Sequence, residues 1–251
     1  MVSSELLLPY GIISMASNEL LLKFLKKYKI KNYSLIKYEQ QISNNGQLKY
    51  VIFNDEENYY YKVFCGGKPH LQTHAFLNHA HFPNHLVLSI IDTELNIWII
   101  KSSPAPGVAL SLILKTKENT LDKTFIIKMM EWFKWQHTES RRIFPSITDK
   151  YFVCTGIFND AIDLHAHNLM YDTETHCFTP IDFEQVLIRS FISTSNWVSK
   201  NEYILYTFNS INEVLRLILL ANSNNSNGWL SFQEYPKLLD YCIEYVYKEI
   251  L

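Results

Sequence analysis

The sequence predicts an α+β fold: a sheet-rich front half followed by a helical back half. Three observations carry that expectation. Short Tyr-, Ile- and Val-rich runs separated by turn clusters fill the chain up to Lys101. A Ser-Ser-Pro-Ala-Pro-Gly break at Ser102–Gly107 is the strongest linker signal in the sequence. Beyond it, apolar residues recur at helical spacing in long segments. The expected organisation is therefore a first domain over residues 1–103 and a second over residues 104–251.

Taken in order, Ser17 offers a hydroxyl cap and Glu19 an acid for the first turn of a helix. Leu21, Phe24, Leu25 and Tyr28 form its apolar stripe, and Lys23, Lys26 and Lys27 its solvated face. The period then changes to that of strands over Ser34–Gln40, Leu48–Phe53 and Asn58–Phe64. The turn-like clusters Ser43–Gly46 and Asp55–Asn58 join them into an antiparallel meander. Lys62 sits in the third strand among aromatics, which suits a snorkelling surface lysine or, if directed inward, a partner for phosphates. A helix is expected over 66–81, with His70, His74, His79, His81 and His85 on its surface and in the turn after it. Leu86–Ile91 and Leu95–Lys101 make a second hairpin around Asp92–Glu94, and Ile97–Ile100 reads as a buried central strand. In the second half, Thr120–Thr138 carries Phe125, Met129, Trp132, Phe133 and Gln136 on successive helical turns. Tyr203–Ala221 is apolar on most sides, the signature of a buried helix. Asn222–Gly228 is a loop, and Pro236 opens a closing helix striped by Leu238, Leu239, Cys242 and Tyr245.

Composition narrows the function classes. At 47% hydrophobic and 14% aromatic the chain has ample material for a packed core. A net charge of −2 leaves no electrostatic footprint for nucleic acid. Residues 1–70 hold nine Lys against six acids, and residues 201–251 six acids against three bases, a layout suited to nucleotide at one end and a cationic acceptor at the other. Cys65, Cys154, Cys177 and Cys242 are scattered, as reduced cytosolic thiols are. No positively charged start precedes an apolar run, and Asn209, Asn212, Glu213 and Arg216 interrupt the most apolar window. The expectation is a soluble, cytoplasmic protein with no membrane partner.

The polar chemistry concentrates in Asp160–Glu184. Asp163 and Asn168 lie five residues apart, and Asp182 follows Asp163 by nineteen. One carboxylate to orient or deprotonate a hydroxyl, with an amide and a second carboxylate to hold magnesium on nucleotide phosphates, is the equipment of phosphoryl transfer. A zinc site from His165, His167, His176 and Cys177 is the rival reading, and it leaves the carboxylates idle.

Asp163-Leu164-His165-x-x-Asn168 resembles the Asp-x-His-x-x-Asn catalytic loop of the protein-kinase-like superfamily, and Ile181-Asp182-Phe183-Glu184 its magnesium motif in the form seen in choline-kinase-like members. Tyr61-Lys62-Val63-Phe64 resembles the third-strand lysine, and Pro106-Gly107 the Pro-Gly past the interlobe hinge. The order and spacing cover roughly residues 30–220 and point to the aminoglycoside phosphotransferase and choline kinase branch. The resemblance implies a two-lobed kinase-like fold that uses ATP and Mg²⁺ to phosphorylate a hydroxyl-bearing acceptor. It implies Asp163 as catalytic residue, Asn168 and Asp182 as metal ligands, and Lys62 on the phosphates. Backbone amides at Ser43 and Asn45 would join Lys62, and the backbone of Ile100–Ser102 would take adenine. His165 would support the loop.

Two departures stand out. Ala161 occupies the place of the family's usual His, and residues 66–91 contain no Glu to pair with the lysine, leaving only Gln72 or His74. The implied acceptor is a small molecule, with Glu202, Glu213, Glu234 and Asp240 as contacts for a cation or as ordinary salt-bridge partners. A compact bacterial-effector-type kinase acting on a host protein is the first alternative, consistent with the Asn-, Lys- and Ile-heavy composition of an AT-rich genome. A nucleotide-binding pseudokinase module is the second.

Overall fold

The computed structural model describes residues 15–39, 49–66, 71–82, 85–115, 121–143, 145, 152–153, 158–159, 164–181, 197–198, 200–223 and 228–251. The architecture is α+β, as expected: a five-stranded antiparallel sheet, and a largely helical part with short ladders. The chain divides into two compact units, Met1–Lys68 with Ile90–Ser102, and Pro69–Ser89 with Ser103–Leu251. The second unit thus takes in Pro69–Ser89, a stretch that lies before the expected domain boundary at 103/104.

The first unit is organised by α1 (Met15–Lys27) and the strands β1 (Tyr33–Glu39), β2 (Lys49–Asn54) and β3 (Tyr59–Cys65), with β5 (Ile97–Ser102) beyond β3. The strand order is β1-β2-β3-β5-β4, where β4 is Val87–Asp92. The register shifts between Leu35 and Lys37 of β1. The intervening Ile36 is 56% exposed there, the mark of a bulge residue pushed out of the ladder. Alternation along the strands gives one face to the core: Tyr50, Ile52, Tyr61, Val63, Cys65, Ile97 and Ile99 pack with Leu21, Phe24 and Leu25 of α1. The Phe24 ring is wholly buried, and its removal would cost about 3–5 kcal/mol. Lys27 ties α1 to the β4–β5 turn, its ammonium 2.9 Å from Asp92 and 2.6 Å from Glu94. The Tyr28 hydroxyl adds a bond to the same Asp92 carboxylate at 3.0 Å.

The hairpins share one turn design. In β2–β3, Asn54 Oδ1 accepts the N–H of Glu56 and Glu57, and Asn58 adopts a left-handed φ of 57°. In β4–β5, Asp92 Oδ1 accepts the N–H of Glu94 and Leu95, and Asn96 has φ 52°. A short side-chain acceptor opens the turn, and a residue tolerant of positive φ closes it.

The second unit packs around α4 (Lys123–Ile143) and the 24-residue α5 (Lys200–Ser223). Helix α4 runs five residues past the expected Thr138. Phe125, Met129 and Phe133 of α4 and Tyr203, Ile211, Val214, Leu215 and Ile218 of α5 are all fully buried in one core. The opposite side of α5 is open, with Leu205 56% and Leu220 46% exposed. Helix α6 (Tyr235–Tyr245) begins with Pro236 in its first turn and runs into a π-helical turn, Val246–Ile250. The sequence pattern does not announce α3 (Leu110–Lys115), which directly follows the two-residue strand β6 (Val108–Ala109). Strand β10 (Leu169–Asp172) lies between β11 (Cys177–Pro180) and β6 in a three-stranded sheet. Gly107 makes that approach feasible: its φ is +88°, and a Cβ there would lie 2.2 Å from the Tyr171 carbonyl oxygen.

Of the histidines expected on a surface helix and the turn after it, His79 and His81 are exposed around α2 (Leu71–His79), His74 is half-buried and His85 is buried. His74 Nδ1 lies 2.8 Å from Ser89 Oγ, and Asn78 bonds both the N–H and the C=O of Ser89. His85 is buried and its Nδ1 lies 3.3 Å from Ser103 Oγ. Glu139 of α4 accepts the His81 N–H, Trp135 donates to the His81 carbonyl, and Arg142 reaches the His79 carbonyl. These residues spend their polar groups on fastening α2 and the segment after it to β4 and α4. Among the described residues, no helix is long and apolar enough to cross a membrane.

Candidate functional site

In the first unit, α1 covers one face of the sheet and Lys62 lies on the other, because β3 alternates and the buried Tyr61 and Val63 flank it. Lys62 stands directly opposite Val51 of β2 and Ile100 of β5. Its strand neighbours on that face are aromatic: Phe64 stacks on Trp98 with ring centroids 4.5 Å apart, and Tyr60 packs on Phe53 at 4.8 Å. The lysine is half-buried in a predominantly apolar face, a setting that suits a flat heteroaromatic ring beside an anion. Ile100 is 4% exposed, and Ser102 closes β5 opposite Tyr60. The single cation of β5 serves the fold: Lys101 bonds Glu57 at 2.8 Å and lies 4.2 Å from the Tyr59 ring centroid. Ser43 and Asn45 lie outside the described residues.

In the second unit the central feature is the hairpin β10–β11. Its register pairs Leu169 with Pro180, and one step further out the Ile181 N–H donates to the Asn168 carbonyl at 2.7 Å. Asn168 is therefore bonded across the hairpin to the residue immediately before Asp182 in sequence. An amide oxygen such as that of Asn168 is a hard donor of the kind magnesium takes. Upstream, β9 (Leu164–His165) pairs with β8 (Phe158–Asn159), which fixes the backbone that follows Asp163 in sequence. Asp163, Asp182 and Ala161 themselves lie outside the described residues.

Of the residues of the zinc reading, His167, His176 and Cys177 are spread along the hairpin, each with a neighbour of its own. His176 Nδ1 lies 2.9 Å from the Tyr171 hydroxyl, and Cys177 Sγ donates to the Thr175 carbonyl at 3.6 Å. His167 Nδ1 lies 2.7 Å from Ser111 Oγ. His176 and Cys177 also sit at the turn end of the hairpin, roughly 13 Å by strand rise from the Asn168 end. Among the described residues no three His, Cys, Asp or Glu side chains gather to hold a metal. Burial pushes the Tyr171 phenol up to about 12, so it is a neutral hydrogen-bonding group.

Of the stand-ins for the missing Glu, the Gln72 side chain lies outside the described residues. His74 is engaged by Ser89, and burial lowers its pKa, favouring the neutral ring. Of the acidic tail residues, Glu213 is held by Arg216 at 2.6 Å, and Glu234 accepts from Ser231 at 3.2 Å. Sequence reasoning missed Ser111 altogether. Its partner His167 lies 56 residues away, and no local pattern carries such a pairing.

No protein-family model matches the chain, and no curated protein sequence matches it. Solved structures do. The Cydia pomonella granulovirus kinase PK-1 aligns at 11% identity over 66% of this chain and 58% of its own, with a TM-score of 0.40. The MAP kinase LmaMPK10 from Leishmania major aligns at 11% identity over 92% of this chain and 82% of its own, with a TM-score of 0.47. Monomeric WbdD aligns at 15% identity over 82% of this chain and 49% of its own, with a TM-score of 0.36. The chain thus spans less than two thirds of the length of the first and third of these structures.

Proposed function

We propose that this chain is an ATP- and Mg²⁺-dependent phosphotransferase of the kinase-like type, acting on a hydroxyl of a small molecule. The observation that carries the reading is the Asn168–Ile181 backbone bond, which joins the loop following Asp163 to the strand end preceding Asp182. The placement of Lys62 on the sheet face away from α1, opposite Ile100, supports it. Bound magnesium would neutralise charge on the nucleotide phosphates, with Asn168 and Asp182 as its protein ligands. Lys62 and the backbone amides of Ser43 and Asn45 would hold the phosphates, and the Ile100–Ser102 backbone would hold the purine. Asp163 would orient the acceptor hydroxyl and accept its proton as the oxygen–phosphorus bond forms and the bond to the β-phosphate oxygen breaks. Residues 1–103 would serve the nucleotide and residues 104–251 the acceptor.

A second reading, a nucleotide-binding module without turnover, is favoured by one observation. His74, a stand-in for the Glu that residues 66–91 lack, is held by Ser89.

Transfer from γ-labelled ATP separates these readings. Panels of small hydroxyl compounds and of proteins are incubated with the full chain, and Asp163→Ala serves as the blank. The expected result is label on a small molecule, reduced by about 100-fold or more in the blank. Label on protein alone would replace the acceptor class. Nucleotide-dependent thermal stabilisation without transfer would favour the second reading. Neither stabilisation nor transfer would overturn both.

A further inference from the structure

Ser111, on α3, is a buried residue, 5% exposed, and both its backbone N–H and its hydroxyl engage the segment between β9 and β10. Its N–H donates to the Ala166 carbonyl at 2.8 Å, and its Oγ lies 2.7 Å from His167 Nδ1. The next residue, Asn168, accepts from the Ile181 N–H. Three consecutive residues are thus anchored, two by one serine and the third by the strand that leads into Asp182. The plain alternative is a serine that merely satisfies its own hydroxyl. Helix serines commonly do so on the carbonyl one turn back, as Ser210 does on Tyr206 at 3.0 Å. Ser111 instead engages a ring far away in sequence. That ring is solvent-exposed, so apolar packing does not account for its orientation.

We propose that Ser111 and His167 form a positioning pair that aims the Asn168 amide, and that the tightness of divalent-cation binding depends on it. This rests on the phosphotransferase reading above. Magnesium demands near-octahedral geometry at short range, so a ligand whose backbone drifts loses affinity steeply. Groups that act through a ligand in this way typically contribute about 10- to 100-fold in metal affinity. The pair would act through the Asn168 ligand, so its effect is expected on the metal.

The test titrates Mn²⁺ into the full chain saturated with a non-hydrolysable ATP analogue, reading the bound ion by electron paramagnetic resonance. Ser111→Ala and His167→Ala are each expected to weaken Mn²⁺ binding about 10-fold. The double variant is expected to be no weaker than either single, because one interaction is lost in all three. Ser111→Thr keeps the hydroxyl, and His167→Asn keeps a polar atom near the Nδ1 position, so both are expected to recover toward wild type. His167 is exposed, so its two variants leave no cavity; melting curves check that they stay folded at the assay temperature, and they decide the matter even if Ser111→Ala fails to fold. Unchanged Mn²⁺ constants, or additive losses in the double variant, would overturn the pair while leaving the phosphotransferase reading intact. A wild type that binds no Mn²⁺ with nucleotide would overturn both.

Discussion

Hairpins β2–β3 and β10–β11 close with the same four-residue turn in very different surroundings. In the first, the opening acceptor Asn54 is 2% exposed. In the second, Asp172 is only half-buried; its Oδ1 accepts the Glu174 N–H at 3.0 Å, its Oδ2 the Thr175 hydroxyl at 2.6 Å, and His176 closes the turn at φ 56°. The β4–β5 turn is a third version, in which Asp92 serves two turn N–H groups and also Lys27 and Tyr28 of α1. One local geometry therefore carries three loads: a turn opened by a buried acceptor, a turn whose buried acceptor also anchors a helix, and a turn opened by a half-buried acceptor. The cost of removing the acceptor should follow the load, since an unsatisfied buried donor costs far more than one that water can reach.

The largest expected effect lies outside the turns and tests whether they alone account for acid sensitivity. Burial, helped by the nearby Arg141, lowers the His137 pKa from 6.5 to about 4. The unfolded chain then takes up a proton before the folded one does as pH falls. The stabilisation is complete above pH ~6.5 and is lost toward pH ~4, at a cost on the order of 3 kcal/mol. Melting curves over that range should show the loss, and His137→Phe should flatten it. An unchanged slope would assign the sensitivity elsewhere.

Among the turns, Asp92→Ala is expected to cost about 2–3 kcal/mol in urea unfolding, because charged and backbone donors lose one acceptor together. This turn is also the acid-labile one among the buried pair. Burial raises the Asp92 pKa, but bonds from Lys27, the Leu95 N–H and Tyr28 outweigh it and hold the carboxyl below its usual 3.8. Its contribution is present above that value and fades as pH falls through the depressed one. Asn54→Ala should cost about 1 kcal/mol and, lacking a titrating group, show the same deficit at pH 3 and pH 7. Asp172→Ala should change the urea midpoint least, since its acceptor is the only half-buried one of the three and water can replace it. A midpoint shift for Asp172→Ala as large as that for Asn54→Ala would break the ranking.

The turns were legible because their determinants are local. Asp55–Asn58 and Asp92–Glu94 stood between alternating runs, and the strands fell within about two residues of their expected bounds. The change from sheet to helix at Ser102–Gly107 was equally plain, since two prolines and a glycine stop a ladder. Helix α3 escaped because Leu110–Lys115 is six residues of almost unbroken apolar sequence, too short to show a period. The bonding of α2 to β4 escaped because nothing local pairs Asn78 and His74 with Ser89, eleven and fifteen residues on. For the candidate site, the spacing of Asn168 and Asp182 was visible, but the bond that joins Asn168 to Ile181 depends on hairpin register. The Ser111–His167 pairing depends on tertiary packing, which periodicity does not report.

Strand β4 ends the sheet, and an end strand normally offers a row of unclaimed amides to any extended chain that passes. Asn78 answers this with its side chain: the carboxamide meets the Ser89 N–H at 2.8 Å and its carbonyl at 3.0 Å, the two bonds that a neighbouring strand would make. A single asparagine thus works as a one-residue counterfeit strand, and at Ser89 the sheet is closed to self-association through that border.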